Sequence, residues 1–154
     1  MAVFGAAAGL LAVLAKSPAG EHISIFLGTF FLLTARGLVR KFGAAAVADF
    51  ISGITAFAVS GGPLLLVLFP VKGLVIDTFL LLIRREVDHS KATSALSGLI
   101  PYPFNAVFMY FGFMFLGRVI SPDLFLILSG LYGISGALGG LGAYYILKKI
   151  RKVG

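Results

Sequence analysis

Between Lys41 and Arg84 the chain holds only three charged residues, Asp49, Lys72 and Asp77. Two long apolar runs meet there at Ser60-Gly61-Gly62-Pro63, with Arg36, Arg40 and Lys41 in front and Arg84 and Arg85 behind. Few environments accept such a stretch. The hydrocarbon core of a bilayer is about 30 Å thick and takes about 20 apolar helical residues. The stretch therefore predicts a transmembrane helical hairpin. The whole chain agrees, with 59% of its 154 residues hydrophobic and 12% charged. An average soluble domain carries roughly a quarter charged residues, so this chain lacks the polar side chains to coat a soluble core. The expected class is all-α, a polytopic membrane protein forming a single transmembrane domain over residues 1–154.

Six spanning helices are predicted, at about 2–15, 23–35, 42–60, 63–83, 93–117 and 122–147. The first ends at Lys16-Ser17-Pro18 and has no basic segment before it. That pattern argues for a retained first helix rather than a cleaved signal peptide. Pro63 and Pro122 suit first-turn positions, where a missing N–H costs nothing. The loops are short, so neighbouring helices run antiparallel. With six helices, one side receives Arg36, Arg40, Lys41, Arg84, Arg85, Lys91, Lys148, Lys149, Arg151 and Lys152, and the other receives Lys16 and Arg118. Positive residues mark the cytoplasmic side, which gives an N-in, C-in arrangement. The net charge of +7 is then explained by topology and anionic lipid headgroups, with no nucleic-acid partner.

Ordinary catalytic and metal signatures are missing. Cysteine is absent, which removes disulfides, thiolate metal sites and cysteine nucleophiles. His22 and His89 fall in predicted loops on opposite sides of the membrane and cannot form a dyad. No metal ligand set, catalytic residue or cofactor is expected.

Several patterns stand out within the helices. Gly5 and Gly9, and Ala8 and Ala12, are spaced four apart in the first helix. Small residues at that spacing let another helix approach closely, either a partner subunit or a helix of this chain. The glycines from Gly130 to Gly142 in the last helix read as packing. Pro101-Tyr102-Pro103-Phe104-Asn105 interrupts the fifth helix. Prolines free backbone carbonyls, and broken helices near the midplane line binding sites in transporters. A simple kink, with Asn105 bonded to a neighbouring helix, explains the same residues.

The three interior charges are costly in a bilayer and point to function. Counted from their basic flanks, Asp49 and Asp77 lie about 12 Å and 10 Å deep at 1.5 Å per residue, so at similar depth. Lys72 lies further toward the outer side. Lys72 and Asp77 are five apart and share a helical face poorly. The acids either neutralise arginines such as Arg36, Arg40 or Arg118, or bind a cationic substrate or carry protons, or sit protonated as hydrogen-bond donors.

The run Arg40-Lys41-Phe42-Gly43-Ala44-Ala45-Ala46-Val47-Ala48-Asp49, the Gly-Pro turn, and Lys72-Gly73-Leu74-Val75-Ile76-Asp77 together resemble the YkoE family. These are substrate-binding S components of energy-coupling factor (ECF) transporters. Gly43, Ala44, Ala45 and Asp49 match the family's first helix, and Gly73 and Asp77 match its second. Asp stands where the family carries Glu, and Phe42 where it carries Pro. The resemblance implies a six-helix capsule in a prokaryotic cytoplasmic membrane that captures a vitamin or its precursor, with thiamine or hydroxymethylpyrimidine the family's associated ligands. A transmembrane T component and cytoplasmic ATPase subunits would be its partners and would hydrolyse ATP, so the chain itself is not expected to be an enzyme.

The resemblance also implies that the first helix docks on the T component through Gly5, Ala8, Gly9 and Ala12. The expected substrate site comprises Lys72, Asn105, Tyr102, Phe104 and Tyr132, with Asp77 and Asp49 deeper. The alternative is a self-contained proton-coupled transporter or channel using Asp49 and Asp77. A small membrane enzyme or assembly factor is a third class.

Overall fold

The computed structural model describes residues 1–11, 17–60, 62–115, 117 and 121–153, and all regular structure among them is helical. The helices are α1 (Ala2–Leu10), α2 (Pro18–Val39), α3 (Ala44–Ser60), α4 (Leu65–Ile83), α5 (Lys91–Leu99), α6 (Pro101–Phe115) and α7 (Pro122–Val153). Three of them, within α2, α4 and α7, are long and apolar enough to cross a membrane. At 1.5 Å per residue, α4 is about 28 Å long and α7 about 48 Å, so α7 exceeds the bilayer core. The chain is a membrane protein.

Local chemistry sets several boundaries. The Ser17 hydroxyl accepts from the Gly20 N–H at 3.1 Å, with Pro18 at the first turn. This cap starts α2 five residues before the expected Ile23 and draws His22 into a helix. The C-terminal caps of α2 and α4 are Arg40 and Arg84, with φ of 53° and 52°. Ser90 caps α5 by accepting from the Thr93 N–H at 3.0 Å. The expected fifth helix is divided at Ile100, which keeps helical dihedrals. Pro101 and Pro103 have no N–H to offer the carbonyls one turn earlier. The described part of α1 ends sooner than expected, and Ala12, Lys16, Gly61 and Arg118 lie outside the described residues.

In lipid, helix association depends on close packing and polar contacts more than on hydrophobic burial, and this bundle uses both. A Cβ on Gly98 or Gly136 would strike the other's backbone where α5 crosses α7. One turn away, the Ser94 hydroxyl donates to the Gly140 carbonyl at 2.6 Å. A Cβ on Gly73 would lie 2.6 Å from the Ala45 carbonyl oxygen, so α3 and α4 touch along their backbones. The glycines at 133, 136, 139 and 140 are buried, as a packing role requires, whereas Gly130 is exposed and a Cβ there would meet nothing within 4 Å, so the packing role does not extend to it. The core joins Leu32, Leu33, Ala48, Ile76, Leu80 and Leu147 from α2, α3, α4 and α7.

Candidate functional site

The α3–α4 register determines what the interior charges do. Asp77 accepts from the N–H groups of Ala45 (3.0 Å) and Ala46 (3.1 Å), at the start of α3. Its other oxygen accepts from Arg36 Nε at 2.7 Å. Arg36 also donates to Glu86 at 2.9 Å. Asp77 is therefore fully engaged, with its side chain 0% exposed. Because α3 and α4 are antiparallel, the position five residues before Asp77 faces a point one turn further along α3. There Lys72 Nζ meets Asp49 Oδ1 at 3.1 Å. The similar depth expected for the two aspartates is thus corrected. Residues 41–43 form a turn that adds no helical rise, so Asp77 lies level with the first turn of α3 and Asp49 about 5 Å beyond it. The three charges are paired, and the fifth residue of separation between Lys72 and Asp77 sends them to different partners.

Further ion pairs close the same end of the bundle. Arg40 reaches Asp88 at 3.4 Å, and Arg151 also pairs with Asp88. The ends of α2 and α7 are thereby tied to the segment after α4. His89 lies in that segment, while His22 bonds the Ser135 hydroxyl at 2.9 Å and stacks edge-on to Tyr132. The described residues contain no cluster that could hold a metal.

The other half of the bundle encloses a cavity of about 450 Å³. Its wall is drawn from α1, α2, α3, α4, α6 and α7. Lys72, Tyr102, Asn105 and Tyr132 all line it. Each is polar at a different point. Lys72 is 8% exposed, with its ammonium 4.8 Å from the centroid of the Phe69 ring. The Tyr102 hydroxyl bonds that of Thr29 at 2.7 Å. Asn105 Oδ1 is buried and has no hydrogen-bond partner among the described residues. Leu68, Ile25 and Leu128 are among its apolar lining residues. The wall is mostly apolar with a few convergent polar groups, a composition that small-molecule pockets share.

Not every expected site residue is there. Phe104 is 52% exposed and is absent from the wall. It neighbours Asn105 on α6, and one helical step of about 100° turns it to the outside. Asp49 stands behind Lys72, and Asp77 is held at the opposite end by Arg36. Gly5 and Gly9 face α3: a Cβ on Gly5 would lie 2.5 Å from the Ala48 carbonyl oxygen, and one on Gly9 would lie 2.5 Å from Thr55 Cβ. Ala8 lines the cavity. The Gly5–Gly9 stripe is thus occupied by α3, and the other face of α1 leaves Val3 and Leu10 81% and 55% exposed.

Three polar wall residues were not anticipated: Glu21, Ser24 and Ser129. Glu21 belongs to the first turn of α2 and stands beside the Tyr132 hydroxyl. The Ser17-Pro18 cap signal followed by a first-turn acid was sufficient to place it on a helix.

No family model matches the chain, and no curated protein matches it. A solved structure described as the crystal structure of an S-component of an ECF transporter is similar in fold, with a TM-score of 0.73 and 24% sequence identity. The likeness covers 99% of this chain and 81% of that one.

Proposed function

We propose that this chain is the substrate-capturing membrane subunit of an ECF-type importer. The observation that carries the reading is the cavity of about 450 Å³, enclosed by six helices in a fold shared with an S-component. Its volume lies within the ~300–1,000 Å³ of small-molecule pockets. The ligand is a small ring-containing vitamin or precursor. The YkoE-like motif residues favour thiamine or hydroxymethylpyrimidine.

In this reading residues 1–154 form one domain of six spans in a prokaryotic cytoplasmic membrane, with α5 and α6 sharing a span. The basic ends of α2, α4 and α7 face the cytoplasm, where T-component and ATPase partners act. The cavity then opens toward the outer side. Lys72, Tyr102, Asn105 and Tyr132 bind the ligand, and the Arg36–Asp77–Glu86 network holds the cytoplasmic end rigid. ATP hydrolysis belongs to the partner subunits. A partner docks on α1 through the outer face bearing Val3 and Leu10.

The proton-coupled alternative requires Asp49 and Asp77 to exchange protons with water. Asp77 has three donors on it and no exposure, which favours a structural role. Affinity purification of the tagged chain from native membranes tests the proposal. Recovery of a T component with ATPases supports it. Recovery of the chain without ATPases, from membranes in which they are expressed, contradicts it.

A further inference from the structure

The polar groups of the cavity are unequal in what they leave for a ligand. Lys72 is the one described cation in the wall, yet its charge is already matched by Asp49 at 3.1 Å. Asp49 Oδ2 is buried and has no partner of its own among the described residues. An entering carboxylate would therefore have to draw Lys72 away from an acid with unmet hydrogen-bonding capacity, in a region of low dielectric where like charges repel strongly. The Tyr102 hydroxyl is engaged with Thr29.

Two groups keep acceptor capacity. Asn105 Oδ1 is buried against the cavity without a donor among the described residues. Glu21 lines the same cavity from α2; the Tyr132 hydroxyl stands beside it, its carboxylate has further lone pairs to offer, and it forms no ion pair with any described basic residue. With Lys72 and Asp49 cancelling, Glu21 leaves the described site one net negative charge. A buried acceptor without a partner forfeits the hydration it had in water and gains no bond in return. A ligand that donates to Asn105 relieves that cost, and a ligand lacking the donor does not. Sites built around such groups reject analogues without the matching N–H far more strongly than apolar pockets reject a methylene.

Resting on the capture reading above, we propose that Glu21 and Asn105 are the specificity-determining residues of this cavity. They select a small ring that carries an amino or cationic nitrogen and no carboxylate. The nitrogen faces Glu21, an N–H donates to Asn105 Oδ1, and the ring lies on the apolar wall of Ile25, Leu68 and Leu128. Lys72 offers its remaining N–H donors to an uncharged acceptor atom, such as a ring nitrogen or hydroxyl, and does not serve as an anion hook.

The test is calorimetric titration of the purified chain in nanodiscs. The amino-bearing probes are thiamine and hydroxymethylpyrimidine; the carboxylate probes are biotin, nicotinate and pantothenate. An amino-bearing probe is expected to bind, and the carboxylates are not. Glu21→Gln and Asn105→Leu are each expected to weaken binding at least tenfold, and Glu21→Asp to restore part of the loss, with melting temperatures close to that of the parent. Tighter binding of a carboxylate probe than of either amino-bearing probe overturns the proposal. So does a Glu21→Gln affinity within twofold of the parent. If no probe binds, the specificity proposal fails, and ATPase co-purification decides separately whether the capture reading fails with it.

Discussion

Replacing Asp77 by alanine should be among the most damaging single changes in the chain. Asp77 accepts from Arg36 Nε at 2.7 Å and from two backbone N–H groups at 3.0 and 3.1 Å. The substitution leaves Arg36, whose side chain is 6% exposed, with Glu86 as its remaining acid. Breaking a buried ion pair by removing one partner costs about 3–5 kcal/mol. For a domain of this size, 1 kcal/mol moves the melting temperature by about 2–4 °C, so a fall of roughly 6–20 °C is expected. Asp77→Asn keeps an acceptor oxygen and should cost less. Glu86→Gln, at a side chain 35% exposed, should cost under about 1 kcal/mol. The double replacement Arg36→Met with Asp77→Leu should recover much of the loss, because it leaves no buried charge unpaired. The assay is thermal unfolding in a single detergent, monitored by loss of helical circular dichroism. A change below 2 °C for Asp77→Ala would refute the assignment of Asp77 as the anchor between α2, α3 and α4.

Other substitutions test separate parts of the structure. Gly73→Ala forces a Cβ against the Ala45 backbone and should destabilise by about 1–3 kcal/mol, whereas Gly28→Ala meets nothing within 4 Å and should leave the melting temperature within 2 °C. Gly28→Leu fills the cavity that Gly28 lines, so titration should show loss of ligand binding from a folded protein. Phe104→Ala should leave ligand affinity unchanged within twofold, because Phe104 lies outside the wall; Phe69→Ala, which removes the ring beside Lys72, should weaken it several-fold. Gly9→Leu should impair folding of the isolated chain, while Leu10→Ser on the exposed face of α1 should leave folding intact and reduce recovery of partner subunits.

Much of the fold was readable because the bilayer imposes a simple rule on apolar length. The α3–α4 hairpin, the proline break before Tyr102 and the packing role of the late glycines all followed from residue spacing. The pairing of Lys72 with Asp49 did not. It depends on where α3 begins, and the turn at residues 41–43 moves that start by less than one helical turn, enough to change which acid Lys72 meets. Phe104 and Asn105 are adjacent in sequence but face different ways, and a motif read as a unit hides that difference. Glu21 was missed because the apolar run begins after it, although α2 itself begins at Pro18. The Gly5–Gly9 stripe was legible as a helix–helix contact, but its spacing does not identify the helix across from it, here α3.

The central claim is that this chain captures a small ligand for a transporter powered by other subunits. Uptake of radiolabelled hydroxymethylpyrimidine or thiamine into proteoliposomes tests it most directly, comparing the chain alone with the chain reconstituted with its T component and ATPases. ATP-dependent accumulation by the complex, lost with Asn105→Leu, and no accumulation by the chain alone are the expected results. Accumulation by the chain alone, driven by a pH gradient without ATP, would contradict the claim.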